Sequence, residues 1–162
     1  MKKPIVLLIV FACLGLYVYR DEINLTSASA QDAGSELWLE DFQLAQSRAR
    51  ATNRPILILF TGSDWCPPCM NLERNVFSTK HFEQFARENL VLYVADFPRR
   101  KRQPPELIAT NQRLQQTYRI RGYPTLVLVN AQGRQLDQFG YGGQNANAFV
   151  NLLAQKVRGN RS

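Results

Sequence analysis

A pair of cysteines separated by two prolines stands at the junction between a predicted buried strand and a predicted helix. The continuous apolar run Ile56–Phe60 has the length and composition of a strand that is buried on both faces. The segment W-C-P-P-C follows at positions 65–69, and a helix is predicted to begin at Pro67. A strand that leads directly into Cys-x-x-Cys at a helix start favours a fold of alternating strands and helices.

The apolar pattern of the remaining chain also alternates between helices and strands. A helix carrying Trp38, Phe42, Ala45 and Ala49 is predicted before the first strand. The later predicted elements are a helix from Pro67 that breaks near Ser78, a helical segment up to Glu88, a strand Leu90–Ala95, a loop Phe97–Pro105, a helix marked by Leu107, Leu114 and Tyr118, a hairpin of Thr125–Val129 with Arg134–Phe139, and a helix from Ala146 to Val157. This order predicts an α/β sandwich with parallel central strands and an antiparallel edge hairpin.

Length and composition indicate one folded domain. The chain has 162 residues, of which 45% are hydrophobic and 20% are charged, and these values exclude collagen-like, low-complexity and largely disordered classes. The formal net charge of +7 permits contact with nucleic acid, anionic lipid or acidic protein surfaces and selects none of them.

Residues 1–30 are predicted to be a secretory signal peptide. A short basic start precedes an uncharged apolar run at residues 5–19, and Ala28-Ser29-Ala30 supplies the small residues that signal peptidase reads. The charged stretch Arg20–Glu22 is also typical of an uncleaved anchor. We therefore expect a domain at residues 31–162 that is periplasmic or otherwise exported, or is held at the membrane by residues 5–19 if the leader is retained.

The position of the two cysteines predicts thiol–disulfide chemistry. Cys66 lies where the helix dipole and unpaired N–H groups stabilise an anion, so its pKa is expected to fall from about 8.5 toward 7. Cys66 is therefore the predicted nucleophile, and Cys69, which we expect to be less exposed, is the predicted resolving thiol. Pro67 and Pro68 fit the first helical turn, but they supply neither N–H donors nor a cation, which favours a reductase-like thiol pair.

Other uses of the cysteine pair stay open at this point. The pair could form a purely structural disulfide, or it could hold a soft metal such as Cu(I) with help from Met70, and either use would make the chain a binding module. A zinc site needs four ligands, whereas the domain offers Cys66, Cys69 and His81 without a second ligand pair. Redox cycling is favoured because the strand–Cys-x-x-Cys–helix context is specific. We expect no metal and no cofactor.

Two stretches of this sequence resemble the thioredoxin-fold family. They are RPILILFTGSDWCPPC at residues 54–69 and YRIRGYPTLVLVNAQG at residues 118–133. The likeness covers about residues 37–157, and it is strongest to exported thioredoxin-like proteins that begin with a Trp-bearing helix and read F-T-G-x-x-W-C-P-x-C. The resemblance implies a three-layer α/β/α sandwich with a mixed central sheet, a C-terminal β-hairpin plus helix, and protein-disulfide oxidoreductase activity.

The resemblance also implies roles for individual residues. It makes Cys66 the attacking thiol, Cys69 the resolving thiol and Trp65 the aromatic flank of the site. Pro124 is then the cis-proline opposite the cysteines, and Tyr123 lines the substrate groove through its backbone. The alternative is a binding module of the same fold. The expected partners are client proteins that contain cysteines.

One departure from the family pattern concerns the second cysteine. Thioredoxins bury an Asp beneath it, paired with a Lys on the next strand, whereas here these regions read Ile58-Leu59-Phe60 and Leu92. Glu73, four residues after Cys69, lies on the same helical face and could accept the proton of the resolving thiol. A solvated surface carboxylate is the favoured interpretation.

The second departure is an apparent enlargement of the chain at a run of basic residues, Arg99-Arg100-Lys101-Arg102-Gln103-Pro104-Pro105. The favoured interpretation is an exposed, solvated loop. The alternative is a docking site for an acidic partner or anionic lipid, and a membrane electron donor that binds through Arg99, Arg100, Lys101 and Arg102 is such a partner. No nucleic-acid partner is expected, because no recognition motif accompanies these charges.

Overall fold

The computed structural model describes residues 37–160. The predicted leader at residues 1–30, together with its anchor alternative at residues 5–19, lies outside the described residues. Within residues 37–160, no helix combines the length and the apolar character that crossing a bilayer requires.

The described chain alternates between strands and helices, as the apolar pattern predicts. In chain order the elements are β1 (Trp38–Leu39), α1 (Phe42–Thr52), β2 (Ile56–Thr61), α2 (Pro67–Leu72), a π-helical turn (Glu73–Phe77), α3 (Lys80–Asn89), β3 (Val91–Asp96), α4 (Pro105–Thr117), β4 (Thr125–Val129), β5 (Gln135–Gly140) and α5 (Ala146–Gly159).

The five strands form one mixed sheet in the order β1-β3-β2-β4-β5. Strands β1, β3 and β2 are parallel, whereas β4 is antiparallel to β2 and β5 is antiparallel to β4. The predicted parallel centre and antiparallel edge hairpin are therefore confirmed. Because β2 lies at the centre of the sheet, all six of its residues are buried, which explains the unbroken apolar run over its first five residues.

Helices cover both faces of the sheet, which produces the three layers that the family resemblance implies. The side chains of β2 alternate between two cores, with Leu57 and Leu59 in one and Ile58 and Phe60 in the other. The first core is closed by residues of α3, α5 and the π-helical turn, and the second by residues of α1 and α4. Burial on both faces makes β2 a rigid support for whatever follows Thr61.

The prediction of a helix that includes Trp38 is wrong. Trp38 lies in the edge strand β1, opposite Leu92 of β3, and its ring packs 5.0 Å from that of Phe77. Helix α1 begins after Asp41, which is its N-cap. The Asp41 carboxylate accepts hydrogen bonds from backbone amides in the first turn of the helix, including that of Gln43 at 2.8 Å. The helical spacing of Trp38 from Phe42 and Ala45 is thus coincidental, because Trp38 precedes the Asp41 N-cap and therefore lies outside the helix.

The helix after the cysteines ends where the sequence predicts, but its last turn is π-helical. Helix α2 passes at Glu73 into the π-helical turn, which ends at Phe77. Thr79 then caps α3 through a 3.3 Å hydrogen bond from the amide of Phe82 to its hydroxyl. The wider turn carries Val76 and Phe77 into the core beneath the sheet.

Candidate active site

The cysteine pair lies at the carboxyl end of the central strand β2. Cys66 occupies the N-cap position of α2, and the exposed Pro67 and Pro68 form the first helical turn. Cys66 and Cys69 are joined by a disulfide, with their Cα atoms 5.3 Å apart. The predicted helix start and the fit of the prolines to it are confirmed.

The two cysteines are almost equally buried. Cys66 is 4% exposed and Cys69 is 5% exposed, so the expectation that Cys69 is the less exposed is wrong in this disulfide-bonded state. The hydrogen bonding does distinguish them, because the amide of Cys69 donates to Cys66 Sγ at 3.3 Å. One backbone donor toward the first sulfur therefore survives the loss of the two proline N–H groups, and it lies on the third residue of the turn.

The predicted residues of the second stretch are brought beside the cysteine motif. Pro124 is buried directly before β4, whose Thr125 is the partner of Phe60 near the end of β2, and the Tyr123–Pro124 peptide bond is cis. The Tyr123 ring packs edge-on against the Trp65 ring, with the ring centroids 5.8 Å apart. Tyr123 thus meets the motif through its side chain, a contact that the sequence did not predict.

A third aromatic ring completes this wall. The Phe97 ring stacks on that of Tyr123 with their centroids 5.4 Å apart. We call Trp65, Phe97 and Tyr123 the aromatic wall. The amide of Gln115 on α4 donates to the Tyr123 hydroxyl, and burial raises the pKa of that hydroxyl. The wall therefore offers a neutral, partly buried surface next to the cysteines.

Gly62 makes room for the indole of Trp65. A Cβ atom at Gly62 would lie 2.5 Å from Trp65 Nε1, closer than non-bonded atoms approach. The indole can therefore lie against the backbone that leaves β2, where Trp65 Nε1 donates to the carbonyl of Phe97 at 2.8 Å. The short F-T-G-S-D-W segment thus ties the residue before Cys66 to the end of β3.

The basic loop, defined here as residues 97–104, is fastened to the cysteine motif. The Asp64 carboxylate accepts hydrogen bonds from the backbone amides of Arg99 at 2.9 Å and Arg100 at 2.7 Å. These bonds, with that of Arg99 as the largest cause, hold the pKa of Asp64 below its usual value. The four cationic side chains are exposed, as expected of a solvated loop, but the backbone that carries them is anchored.

A second contact fixes one of these cations. The Arg99 guanidinium carbon lies 3.9 Å from the centroid of the Trp65 ring, a cation–π geometry. A cation thus lies beside the residue that precedes Cys66, although the intervening dipeptide carries none. Sequence reasoning missed this contact because Arg99 is distant along the chain, and the only local signal was the acidic residue Asp64 before the tryptophan.

A cavity of about 480 Å³ opens on the other side of the motif and is lined by Cys69, Met70 and Glu73. Leu59 and Val94, which are partners in the sheet, also line the cavity. Leu59 belongs to the stretch where the resemblance expects the Asp of thioredoxins. Leu92, the residue expected at the place of the Lys, pairs with Leu57 and is not among the residues that line the cavity. Apolar side chains therefore line the cavity beside Cys69.

Carboxylates line the rim of this cavity. Burial raises the pKa of the Glu73 carboxyl, which accepts a 3.3 Å hydrogen bond from the Ser78 hydroxyl. The carboxylate of Asp96, which also lines the cavity, is held by the hydroxyl of Ser63 at 2.6 Å. The Glu73 residue is exposed, so the surface carboxylate favoured from the sequence is confirmed, although its side chain also lines this cavity. No group of three or more His, Cys, Asp or Glu within residues 37–160 is arranged to hold a metal ion.

Comparison with protein families and curated proteins agrees with this geometry. A family model described as a thioredoxin-like domain matches residues 42–156, which include both cysteines. The disulfide bond reductase DsbH of Chlamydia pneumoniae is 33% identical over 126 residues, which cover 78% of this chain and 76% of that protein. The thioredoxin-related protein DsbJ of the same organism is 24% identical over 83% of this chain, but this match spans 39% of DsbJ.

Solved structures show the same fold. The structure of a DsbH oxidoreductase has a TM-score of 0.72 and 31% sequence identity, and the match covers 78% of this chain and 88% of that chain. A thioredoxin from Thermus thermophilus has a TM-score of 0.55 and 20% identity over 73% of this chain and 84% of its own. This second similarity concerns the fold alone.

Proposed function

Because this chain belongs to the thioredoxin-like family and is a protein-disulfide oxidoreductase, we propose that it acts as an exported reductase of protein disulfides. The observation that carries this proposal is the Cys66–Cys69 pair at the start of α2, held at the end of a strand buried on both faces. The clients are proteins whose cysteines are accessible to Cys66, and the reaction needs no metal or cofactor.

The proposed reaction begins with reduced Cys66 and Cys69. The Cys66 thiolate attacks one sulfur of a client disulfide, forms a mixed disulfide and releases the other client sulfur as a thiolate that takes a proton from water. Cys69 then loses its proton and attacks Cys66 Sγ. The Cys66–Cys69 disulfide forms, the client leaves with two reduced thiols, and two electrons have passed to it.

The assignment of Cys66 as nucleophile is supported by its position. Cys66 is the N-cap of α2, where the helix dipole favours an anion, and its sulfur receives the Cys69 amide hydrogen bond. Cys69 lies one turn inside the helix, beside the cavity that holds Glu73. We propose that Pro124, Tyr123 and Trp65 form the groove that holds the client backbone and that Pro67 and Pro68 tune the thiol pair.

Reductase direction is supported by two observations. The relative at 33% identity is named a disulfide bond reductase. In addition, Pro67 and Pro68 leave the Cys69 amide as the backbone donor to Cys66 Sγ, so the thiolate is less stabilised than in a strong oxidant.

Export is supported by the sequence pattern of residues 1–30, and with it we propose a mature domain at residues 31–162 or a form anchored by residues 5–19. A reductant in an oxidising compartment must itself be re-reduced. We propose a membrane electron donor for this step, and the basic residues Arg99–Arg102, fastened beside the cysteine motif, are its candidate docking surface.

The roles of the two cysteines can be tested by trapping clients. The Cys69→Ser variant should accumulate mixed disulfides with client proteins, because the second attack is lost, whereas Cys66→Ser should trap few. The measurement is non-reducing electrophoresis of cell extracts that express each variant, with the Cys66→Ser/Cys69→Ser double variant as control.

Equal trapping by both single variants would overturn the assignment of roles. Failure of the unaltered protein to reduce insulin disulfides would overturn the reductase proposal and favour a binding module with a structural disulfide or a soft-metal dithiol site.

A further inference from the structure

We propose that the basic loop forms one side of the client-binding surface and selects protein segments that carry acidic residues next to their exchanging cysteine. The juxtaposition that carries this inference is the Arg99 guanidinium on the Trp65 ring, next in sequence to Cys66. The inference rests on the proposed function, because it concerns the partners that Cys66 attacks.

The loop is built to hold its position. Asp64 binds the amides of Arg99 and Arg100, and the indole of Trp65 donates to the carbonyl of Phe97. Ser63 adds a 2.9 Å hydrogen bond from its amide to the Asp96 carboxylate. The segment that leads into the cysteines is thus joined to the segment that leads into the loop at several points, so the loop's charges are presented at one place relative to Cys66.

The cations of this loop are available to a partner. Arg99, Arg100, Lys101 and Arg102 are consecutive, exposed and free of any acidic neighbour within residues 97–104. Within residues 37–160, none of the four loop cations takes part in an ion pair, in contrast to Lys156, which pairs with Asp137. Asp64 binds the loop through backbone amides, and its carboxylate forms no ion pair with the four cationic side chains in the described part of the chain. A cluster of unpaired like charges favours approach of the opposite charge.

The chemistry of the surface specifies the occupant. In the proposed reaction a client brings a disulfide to Cys66, and because Trp65 directly precedes Cys66, the backbone on either side of the client cysteine passes close to Trp65. Acidic side chains there can reach the exposed guanidinium groups, whereas basic side chains are repelled. The surface therefore fits an extended acidic polypeptide segment around a cysteine.

The test uses three synthetic peptides that differ only in the residues flanking one cysteine, which are Glu, Gln or Lys. Each peptide carries its cysteine as a mixed disulfide with uncharged thiopyridine, whose release is measured by absorbance after mixing with the reduced full chain. The neutral dipyridyl disulfide reports the intrinsic reactivity of Cys66 in every variant. Peptide rates are divided by this value.

We expect the Glu peptide to react about tenfold faster than the Lys peptide at low ionic strength, since electrostatic steering raises association rates by at least about that factor. The ratio should fall toward one in about 1 M salt, where the Debye length is about 3 Å. Arg99→Gln/Arg100→Gln should lower the low-salt ratio at least about threefold. Arg99→Lys should preserve the ratio, because it keeps the charge.

Two further variants separate charge from local structure. Arg100→Gln/Lys101→Gln leaves the Arg99–Trp65 contact in place and should also lower the ratio. Arg134→Gln serves as the matched control, because Arg134 is an exposed cation in the β4–β5 turn, at the end of β4 away from Pro124. Its ratio should equal that of the unaltered protein.

An unaltered protein with no preference between the Glu and Lys peptides would overturn the inference. So would a preference that survives both double variants. Failure to react with any peptide or with dipyridyl disulfide would overturn the proposed function itself and this inference with it, and the two failures are thus distinguishable.

Discussion

At the scale of single residues, the two cysteines differ through their neighbours and not through their exposure. Cys66 directly follows Trp65 of the aromatic wall and its sulfur receives the Cys69 amide hydrogen bond, whereas Cys69 lines a cavity together with Glu73. In the resolving step that we propose, Cys69 must lose a proton in surroundings where a thiolate is poorly solvated. A carboxylate with a raised pKa is suited to accept and return that proton.

We therefore expect Glu73→Gln to slow the second step. Release of a client from the Cys66 mixed disulfide should slow at least about tenfold, and formation of that disulfide should change little, because an amide cannot accept the proton. Rapid-quench kinetics separates the two steps. Glu88→Gln is the control, since Glu88 lines a different cavity with Arg54 and Asn130. Equal release rates in both variants would contradict a role for Glu73.

The same substitution has a predicted pH signature. Because burial raises the pKa of Glu73 above its usual 4.5, the folded chain holds this proton more tightly than the unfolded chain does. The associated stability is present at low pH and is lost as the pH rises through the raised pKa. Glu73→Gln should remove this part of the decline in stability.

At the scale of elements, the site is assembled from three loops, each of which adjoins one of three neighbouring strands. The segment after β2 carries the motif, the segment after β3 carries the basic loop, and the segment before β4 carries Pro124. Because β2 lies between β3 and β4, these three segments meet at one end of the three central strands. Asp64 is the link between the first two.

The Asp64→Asn variant should loosen the basic loop. An amide keeps one acceptor oxygen but loses the negative charge and the second acceptor, so hydrogen exchange at the Arg99 and Arg100 amides should become several-fold faster. The pKa of Asp64 is lowered, so the attachment is present at neutral pH and is lost as the pH falls through the folded pKa, below 3.8.

Hydrogen-exchange mass spectrometry of the unaltered and Asp64→Asn proteins measures this effect. Asp137→Asn is the control, because it removes the carboxylate partner of Lys156, which lies on α5. Unchanged exchange in the basic loop of Asp64→Asn would show that the Trp65 contacts hold the loop without the carboxylate.

At the scale of the whole molecule, the direction of electron flow depends on the stability of the Cys66 thiolate. The two prolines remove backbone donors, whereas Arg99 adds a cation near Trp65 that the sequence did not predict. The Arg99 guanidinium is exposed and lies over the indole ring, so solvent and salt screen its effect on Cys66. The loss of donors is therefore expected to dominate.

We expect a Cys66 pKa nearer 7 than 4 and a reduction potential nearer the −270 mV of thioredoxin than about −120 mV, the value of a strong oxidant. Equilibration of the protein with glutathione buffers measures the potential. Arg99→Gln should shift it to a slightly more negative value, because loss of the cation destabilises the thiolate, and Arg134→Gln should leave it unchanged. A potential above about −150 mV would make the protein an oxidant of client thiols.

The sequence by itself determined the order of most elements and the position of the cysteine pair. The continuous apolar run predicts a buried strand at Ile56–Phe60, one residue shorter than the observed strand, and the prolines mark the helix start, because these are local properties of the chain. The prediction of a helix at Trp38 is wrong, since the two residues of β1 form a strand only by pairing with Leu92 and Tyr93 of β3. Such pairing leaves no periodic signal in a segment so short.

Only the tertiary structure decided what surrounds the cysteines. The contacts of Arg99 with Trp65 and of Phe97 with Tyr123 bring together side chains from loops at the ends of different strands. Nothing local in the sequence encodes these contacts, because the order of strands in the sheet determines which loops become neighbours. The reactive pair was therefore readable from the chain, whereas its electrostatic surroundings required the fold.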